Sequence, residues 1–259
     1  MSSIDQTKPS PARMYDFLLG GKENFEIDRQ QVQIVLQDAP EARDAAVINR
    51  RFLAAATGYA ASCGVKQFLD VGSGLPTQDN VHQVAQRMVP DASVVYVDND
   101  PTVLLHAQGL LNDPRTGYIN GDVMTPAEII SNPVTQELID LTKPVALLLV
   151  AVLHFVPDGN DPYGIVHDLM EQLAPGSMLI LSHVTTDEMS PVVSERISRQ
   201  QLAVPLNLRS GKEILRFFDG LDLVDPPGFV FTEQWAPGKV LSADASQPLK
   251  LRCGVAVKP

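Results

Sequence analysis

Residues 67–77 read Gln-Phe-Leu-Asp-Val-Gly-Ser-Gly-Leu-Pro-Thr, a short apolar run that meets an acid and then two glycines one residue apart. This pattern predicts a buried strand, a tight turn and the start of a helix. Glycine suits such a turn because it tolerates positive φ and, lacking a Cβ, lets a ligand come close to the backbone. The helix that follows offers free N–H groups, so the turn is a candidate ligand cradle.

Downstream of this stretch, apolar runs of strand length alternate with helical stripes. Further strands are predicted at Ser93–Val97, Tyr118–Ile119, Val145–Val152 and Met178–Leu181, and two last ones at Leu221–Val224 and Cys253–Val257, with the final strand antiparallel. Such alternation predicts an α/β fold with a mostly parallel sheet and right-handed crossovers. Ligands of these sheets bind beyond the C-terminal ends of the strands.

The 259 residues fit one elaborated α/β domain. Residues 1–64 are expected to form an N-terminal arm and helices that pack on the core, which comprises residues 65–259. Between residues 184 and 209 the rhythm of strands and helices lapses. We therefore expect an insertion over the strand ends, with a helix from Pro191 to Gln201, and treat it as a candidate lid.

Composition excludes several classes of function. The chain has 20 Lys and Arg against 31 Asp and Glu, a formal charge of −11, and no basic block that could neutralise a run of phosphates, so nucleic acid is not an expected partner. Cys63 and Cys253 are too far apart for metal-type spacing, and neither a metal site nor a disulfide is expected. The most apolar run, residues 145–156, is too short to cross a bilayer. We expect a cytoplasmic protein without a membrane partner, and the sequence leaves its oligomeric state open.

Polar residues follow the predicted strands. Asp70, Asp98 and Asp122 come at or just beyond three successive strand ends, and His154 and His183 follow the next two. A single polar residue at a strand end usually only starts a loop. Because the C-terminal ends of parallel strands meet at one edge of a sheet, three successive acids predict a shared site.

The turn itself indicates which ligand this site takes. A dinucleotide fold would have Gly-x-Gly-x-x-Gly, but the third position here is Thr77. An acid at Asp70 suits an ammonium group better than a pyrophosphate. Asp98 is placed to accept hydrogen bonds from ribose hydroxyls, and Asp122 from an adenine amino group. The ligand so described is S-adenosylmethionine (SAM).

These motifs resemble those of class I SAM-dependent methyltransferases, whose sheet has seven strands with the last antiparallel. More narrowly, the chain from about Pro11 to its C-terminus resembles a bacterial methyltransferase family long catalogued as a domain of unknown function. The stretches that carry the narrower likeness are 12–25 (Ala-Arg-Met-Tyr-Asp-Phe-Leu-Leu-Gly-Gly-Lys-Glu-Asn-Phe), 68–77, 96–101 (Tyr-Val-Asp-Asn-Asp-Pro) and 217–221 (Phe-Phe-Asp-Gly-Leu). The family has no agreed substrate.

The resemblance implies roles for individual residues. It places the amino-acid moiety of SAM at the glycine turn, the ribose at Asp98 and the adenine at Asp122 and Val123. From periodicity alone, the segment before Gly20 is a helix that caps the core. The resemblance instead implies that Tyr15 and the Gly20-Gly21 turn fold over the cofactor. The assigned cofactor residues are Asp70, Gly72, Ser73, Gly74, Asp98, Asn99, Asp122 and Val123, with Tyr15 and Gly21.

Catalysis by such an enzyme depends mainly on alignment and exclusion of water, so a base is optional. His154 is the first candidate base, although a structural role is the alternative, and His183 and Tyr15 follow it. Phe155, Trp235 and the insertion are expected to wall an apolar acceptor pocket. The leading hypothesis is a small-molecule methyltransferase. The alternatives are a SAM-binding module without turnover and a nucleotide-dependent oxidoreductase.

Overall fold

The computed structural model describes residues 4–76, 79–110, 113–187, 189, 194–195, 204–241 and 251–259. Among these residues, helices α1 (Pro11–Leu18), α2 (Glu26–Asp38) and α3 (Ala42–Ser62) precede the first strand. The later helices are α4 (Val81–Met88), α5 (Pro101–Leu110), α6 (Pro126–Ser131), α7 (Pro133–Leu138), α8 (Pro162–Glu171) and α9 (Gly211–Leu215). The main strands are β1 (Gln67–Val71), β2 (Ser93–Asp98), β3 (Thr116–Asn120), β4 (Ala146–Val150), β5 (Met178–Val184), β6 (Asp222–Leu223) and, at the C-terminus, β10 (Leu251–Val257).

These seven strands form one sheet in the order β3-β2-β1-β4-β5-β10-β6. The strands from β3 to β5 are parallel, whereas β10 runs antiparallel to both of its neighbours. The predicted mostly parallel sheet with an antiparallel last strand is therefore confirmed. The sequence analysis did not anticipate three two-residue strands: β7 (Val230–Phe231), which pairs with β10, and the hairpin of β8 (Trp235–Ala236) with β9 (Lys239–Val240).

Local signals in the sequence explain where two helices begin. The Ser10 side chain accepts a hydrogen bond from the Arg13 N–H, and Pro11 occupies the first turn of α1, where no intrahelical donor is needed. At α9, the Ser210 side chain accepts from the Glu213 N–H while the Glu213 carboxylate accepts from the Ser210 N–H. This reciprocal pair is a capping box.

The sheet is covered on both faces. Leu147 and Leu149 of β4 belong to the apolar layer under α6 and α8, and Leu148 belongs to the layer under α3 and α4. Trp235 lies in the second layer, where it makes an edge contact with Phe52 at 5.4 Å between ring centroids. Trp235 is thus part of the core and not of an acceptor pocket, contrary to the sequence-based expectation.

The chain after β5 returns to the sheet at Arg209. Thr185 pairs with Arg209 in an isolated parallel bridge, and the Thr186 N–H donates to the Arg209 carbonyl at 2.9 Å. Within the helix predicted from Pro191 to Gln201, the structure describes only residues 194 and 195, which are helical. The lid role and the division at residue 64 stay predictions. Of the helices described, none combines the length and apolar character that a membrane span requires.

Candidate active site

A cavity of about 270 Å³ opens at the C-terminal ends of the strands and is covered by α1, α2 and α3. Its two sides differ in chemistry. Beyond β1, β2 and β3 lie the glycine turn and three acids, which we call the acidic half (Gly72, Gly74, Asp70, Asp98 and Asp122). Beyond β4, β5 and β10, and in the segment before α9, lie aliphatic and aromatic side chains, which we call the apolar half (Val152, Phe155, Val156, Val184, Leu206 and Leu251).

In the acidic half, the glycine turn is held against the end of β2. The Gly72 and Ser73 N–H groups both donate to the Val97 carbonyl, at 2.8 and 3.1 Å. The Gly74 N–H donates to Asp98 Oδ2 at 2.8 Å. The Asp100 N–H donates to Asp98 Oδ1 at 2.9 Å, so both carboxylate oxygens of Asp98 are oriented by backbone groups.

Only glycine fits at position 72. Its φ is +76°, in the left-handed region, and a Cβ would lie 2.4 Å from Val152 Cγ2. Gly74 has a φ of +66° but open space around the position of a Cβ. The first glycine therefore serves both the turn and the close approach of β1 to the chain after β4, whereas the second serves the turn alone.

Burial dominates the electrostatics of the acidic half. It raises the pKa of Asp70 to about 7, an effect that Arg50 opposes and Asp98 reinforces. Burial likewise raises the pKa of Asp98 to about 6, although the N–H groups of Asp100 and Gly74 favour its charged form. Such carboxylates are stabilised by a ligand that brings positive charge and hydroxyl donors into the cavity.

The third acid belongs to the loop after β3. Asp122 Oδ1 accepts from the Met124 N–H at 2.9 Å, and Asp122 Oδ2 accepts from Asn99 Nδ2 at 3.1 Å. Asn99, Asp122 and Val123 all line the cavity, as does Ser73. The structure therefore brings the predicted residues of the strand ends into one site. Of the predicted cofactor residues, Gly21 is not among those that line the cavity. It packs against Asp16, where a Cβ would overlap the carboxylate.

Tyr15 lines the cavity from α1, and α3 holds its hydroxyl in place. The hydroxyl donates to the Ala46 carbonyl at 3.0 Å and accepts from Asn49 Nδ2 at 3.0 Å. Burial raises the pKa of Tyr15. This is the geometry of a wall residue whose proton is already engaged, and the role of Tyr15 as a base stays a prediction.

Asn49, which the sequence analysis missed, connects that wall to the sheet. Its Oδ1 accepts from Ser182 Oγ at 2.6 Å, and Ser182 Oγ in turn accepts from the Ala151 N–H at 3.1 Å. Ala151 has a φ of +58°, unusual for a residue with a Cβ, and it lines the cavity. A polar residue inside the apolar stripe of α3 was the signal that could have revealed Asn49.

His154 lies in the turn after β4 and lines the cavity. Its ring is 4.4 Å from that of Phe155 and meets His183 edge-on at 5.4 Å. Burial, together with His183 and Arg209, lowers the pKa of His154 well below its usual range. His154 is therefore neutral at physiological pH, and its Nδ1 is buried without a hydrogen-bond partner among the described residues.

Arg209, a second residue that the sequence analysis missed, organises the turn that carries His154. Its guanidinium donates to the carbonyls of Leu153 and Val156 at 3.0 and 2.9 Å and to Asp158 at 2.6 Å. It also donates to His183 Nε2 at 2.8 Å. Because arginine is only a donor, His183 Nδ1 carries the proton and donates to the Val184 carbonyl at 2.6 Å. With both ring nitrogens engaged, His183 is poorly suited to be a base.

A third missed residue, Arg13, fixes α1 over the acidic half. The buried guanidinium pairs with Asp28 Oδ2 at 2.9 Å and with Asp100 Oδ2 at 3.0 Å. It also donates to the Lys8 carbonyl at 2.6 Å. Since the Asp100 N–H orients Asp98, the N-terminal helix is tied directly to the acidic half.

The sheet order, the antiparallel last strand and the acids at three successive strand ends define a Rossmann-like class I methyltransferase fold. The family model described as S-adenosyl methyltransferase matches residues 1–259. The chain belongs to this family and is a SAM-dependent methyltransferase. Family membership does not favour the alternative of a SAM-binding module without turnover.

Solved structures agree with this assignment. A protein of family DUF574 from Streptomyces avermitilis is 37% identical, with a TM-score of 0.91 over 99% of this chain and 100% of its own. A candidate methyltransferase from Thermobifida fusca is 38% identical, with a TM-score of 0.89 over 98% and 97%. Human N-acetylserotonin methyltransferase, in complex with SAM, shares the fold at 15% identity and a TM-score of 0.51, over 96% of this chain and 60% of its own. Among proteins of curated function, none is a significant match in sequence.

Proposed function

We propose that this enzyme methylates a small-molecule acceptor and that the acidic half binds SAM. The observation that carries the proposal is the pair of unlike halves in one cavity, since a charged cofactor and an acceptor need different surroundings. The formal charge of −11 also disfavours a polyanionic acceptor such as nucleic acid.

The residues of the acidic half match the parts of SAM. Asp70 would hold the ammonium group of the amino-acid moiety, and Arg50, which faces Asp70 in the same cavity, would hold its carboxylate. Asp98 would accept hydrogen bonds from the ribose hydroxyls. Asp122 and Val123 would contact the adenine, with Gly72, Ser73 and Gly74 as the floor beside the amino-acid moiety.

When bound, SAM supplies a methyl group that is already activated by a sulfonium. The chain's own residues then position the acceptor and exclude water, which can contribute on the order of 7–11 kcal/mol. The three N-terminal helices close the cavity, and Tyr15 forms part of the wall. His154 is the candidate base, because it is neutral and lines the cavity at the apolar half.

The ribose assignment is tested by Asp98→Asn. This change removes a charged acceptor but keeps the shape, so the affinity for S-adenosylhomocysteine (SAH) should fall by about 10- to 100-fold in calorimetry. Asp222→Asn, at an exposed position on the outer strand β6, is the matched control and should bind SAH as the wild type does. An unchanged affinity for SAH in Asp98→Asn would remove the ribose assignment. If the wild-type protein binds neither SAH nor SAM at millimolar concentration, the proposed cofactor site is wrong.

A further inference from the structure

The apolar half has the size and position of a second ligand site. Its six side chains come from the ends of β4, β5 and β10 and from the segment before α9, on the opposite side of the cavity from the three acids. Val156 and Leu251 are buried, whereas Leu206 is only half-buried and so can be changed without removing a core residue. A ligand in this half would contact mainly carbon.

Among the described residues that line the cavity, the charged side chains are Arg50 and the three acids. The acids lie at or just beyond the ends of β1, β2 and β3, and Arg50 on α3 acts on Asp70, whose ionised form it favours. The described part of the apolar half therefore carries no formal charge. The nearby guanidinium of Arg209 is no exception. It does not line the cavity and is already paired with Asp158 and with main-chain carbonyls. A charged acceptor would therefore lose its hydration without gaining a partner.

One polar side chain lines the cavity beside the apolar half. His154 is 5% exposed there, and its Nδ1 is buried without a hydrogen-bond partner among the described residues. A neutral imidazole offers one donor and one acceptor, so it pairs well with an un-ionised hydroxyl or N–H group. Arg209 holds the backbone on both sides of His154 through the carbonyls of Leu153 and Val156, which fixes the place of that polar group.

We propose that the apolar half binds the methyl acceptor, and that the acceptor is an uncharged, largely apolar molecule whose un-ionised hydroxyl or N–H group hydrogen bonds to His154. This inference rests on the proposed function, because it assigns to the acceptor the part of the cavity that SAM does not occupy. It names a class of molecule by its chemistry: a flat or aliphatic carbon skeleton, no carboxylate or ammonium group, and a single hydrogen-bonding group at the reactive position.

The test uses three ligands that share one ring system and differ in charge: 2-naphthol, 2-naphthoate and 2-naphthylmethylammonium. Each is titrated calorimetrically at pH 7.5 into the full-length protein, with and without saturating SAH. The neutral naphthol should bind at least about tenfold more tightly than either ion, since the ions are desolvated without a partner. Equal or tighter binding of either ion, or no binding of naphthol, would overturn the inference. Failure of SAH alone to bind would contradict the proposed function instead, and the titrations without SAH still report on the apolar half.

Charge substitutions at Leu206 locate the ligand. Leu206→Lys should raise the affinity for naphthoate about tenfold, and Leu206→Glu should do the same for the ammonium ligand, because each supplies the missing partner. Leu215→Lys, on the exposed surface of α9, is the matched control and should leave all three affinities unchanged. If neither Leu206 variant shifts the preference, the ligands do not bind in the apolar half and the inference fails.

His154→Phe tests the polar contact separately. This variant keeps an aromatic ring but offers no hydrogen bond, so naphthol should lose about tenfold in affinity while 2-methylnaphthalene should bind about as well as to the wild type. A naphthol affinity that does not change would remove His154 from the acceptor site.

Discussion

The two halves of the cavity are each organised by a buried arginine, and the two arginines work differently. Arg13 joins two buried carboxylates, Asp28 and Asp100, and so fixes α1 above the acidic half. Arg209 joins main-chain carbonyls and one largely exposed carboxylate, Asp158, and so fixes the turn of the apolar half. The charge of Arg13 is therefore compensated inside the protein, whereas the charge of Arg209 is compensated at the surface.

The largest predicted effect is on the free energy of unfolding, which should fall by different amounts when each of the two arginines is replaced. Arg13→Met leaves two buried carboxylates without their cation, so the free energy of unfolding should fall by about 3–5 kcal/mol. Arg209→Met mainly removes the guanidinium donors to the Leu153 and Val156 carbonyls and should cost about 2–3 kcal/mol. Urea titration followed by the fluorescence of the single tryptophan, Trp235, measures both.

Arg87→Met, at an exposed pair with Asp79, controls for the loss of an arginine as such and should stay close to the wild type. If Arg209→Met proves the more destabilising of the two, the comparison between the halves is wrong in its main point.

The two glycines of the turn give a second contrast, because Gly72 packs against Val152 of the apolar half and Gly74 has open space around it. Gly72→Ala combines left-handed strain with a clash against Val152, so it should cost about 2–4 kcal/mol of stability, whereas Gly74→Ala should cost about 1–2 kcal/mol from strain alone. Urea unfolding measures both variants.

A Cβ at position 72 would lie 2.4 Å from Val152 Cγ2 and 2.7 Å from Val152 Cβ, so Val152→Gly is needed to remove the clash. Measured against Val152→Gly alone, adding Gly72→Ala should then cost only the part that comes from strain. If Gly72→Ala costs as much in that background as in the wild type, Val152 is not the group that excludes a side chain at position 72.

The smallest predicted effect is a change with pH in the stability of the protein and in its affinity for SAH, and it arises in the acidic half. Because the pKa of Asp70 is raised to about 7, its neutral form stabilises the unliganded protein, and this stabilisation is lost as pH rises through about 7. The ammonium group of the ligand instead needs the ionised form, so the affinity for SAH should fall roughly eightfold between pH 7.5 and pH 6 from the titration of Asp70. Stability and affinity thus change with pH in opposite directions.

Asp70→Asn should reduce both slopes to the smaller part that Asp98, with its pKa of about 6, contributes, as measured by calorimetry and urea unfolding at each pH. The binding of 2-naphthol to the apolar half should show no such dependence. A naphthol affinity that follows the same pH curve as that of SAH would mean that the two halves share a titrating group.

Local patterns predicted the sheet and the acidic half, because both depend on residues close together in sequence. The apolar run, the glycines and the acid after each strand are short-range signals, and they placed Asp70, Asp98 and Asp122 in one site. The contacts of Arg13 and Arg209 could not be predicted in this way, since their partners lie up to 87 and 56 residues away. Trp235 shows the same limit, because an aromatic residue gives no local signal for which face of the sheet it packs on.

The bridge between Thr185 and Arg209 has a consequence for how such enzymes diversify. The chain leaves the C-terminal end of β5 at Thr185 and returns beside it at Arg209, so the two ends of the segment 186–208 lie next to each other. Changes in the length of this segment need not alter the register of β10 against β5, and the entropic cost of lengthening a loop grows only slowly. Natural selection can therefore change this segment without disturbing the strand ends that carry the glycine turn and the three acids.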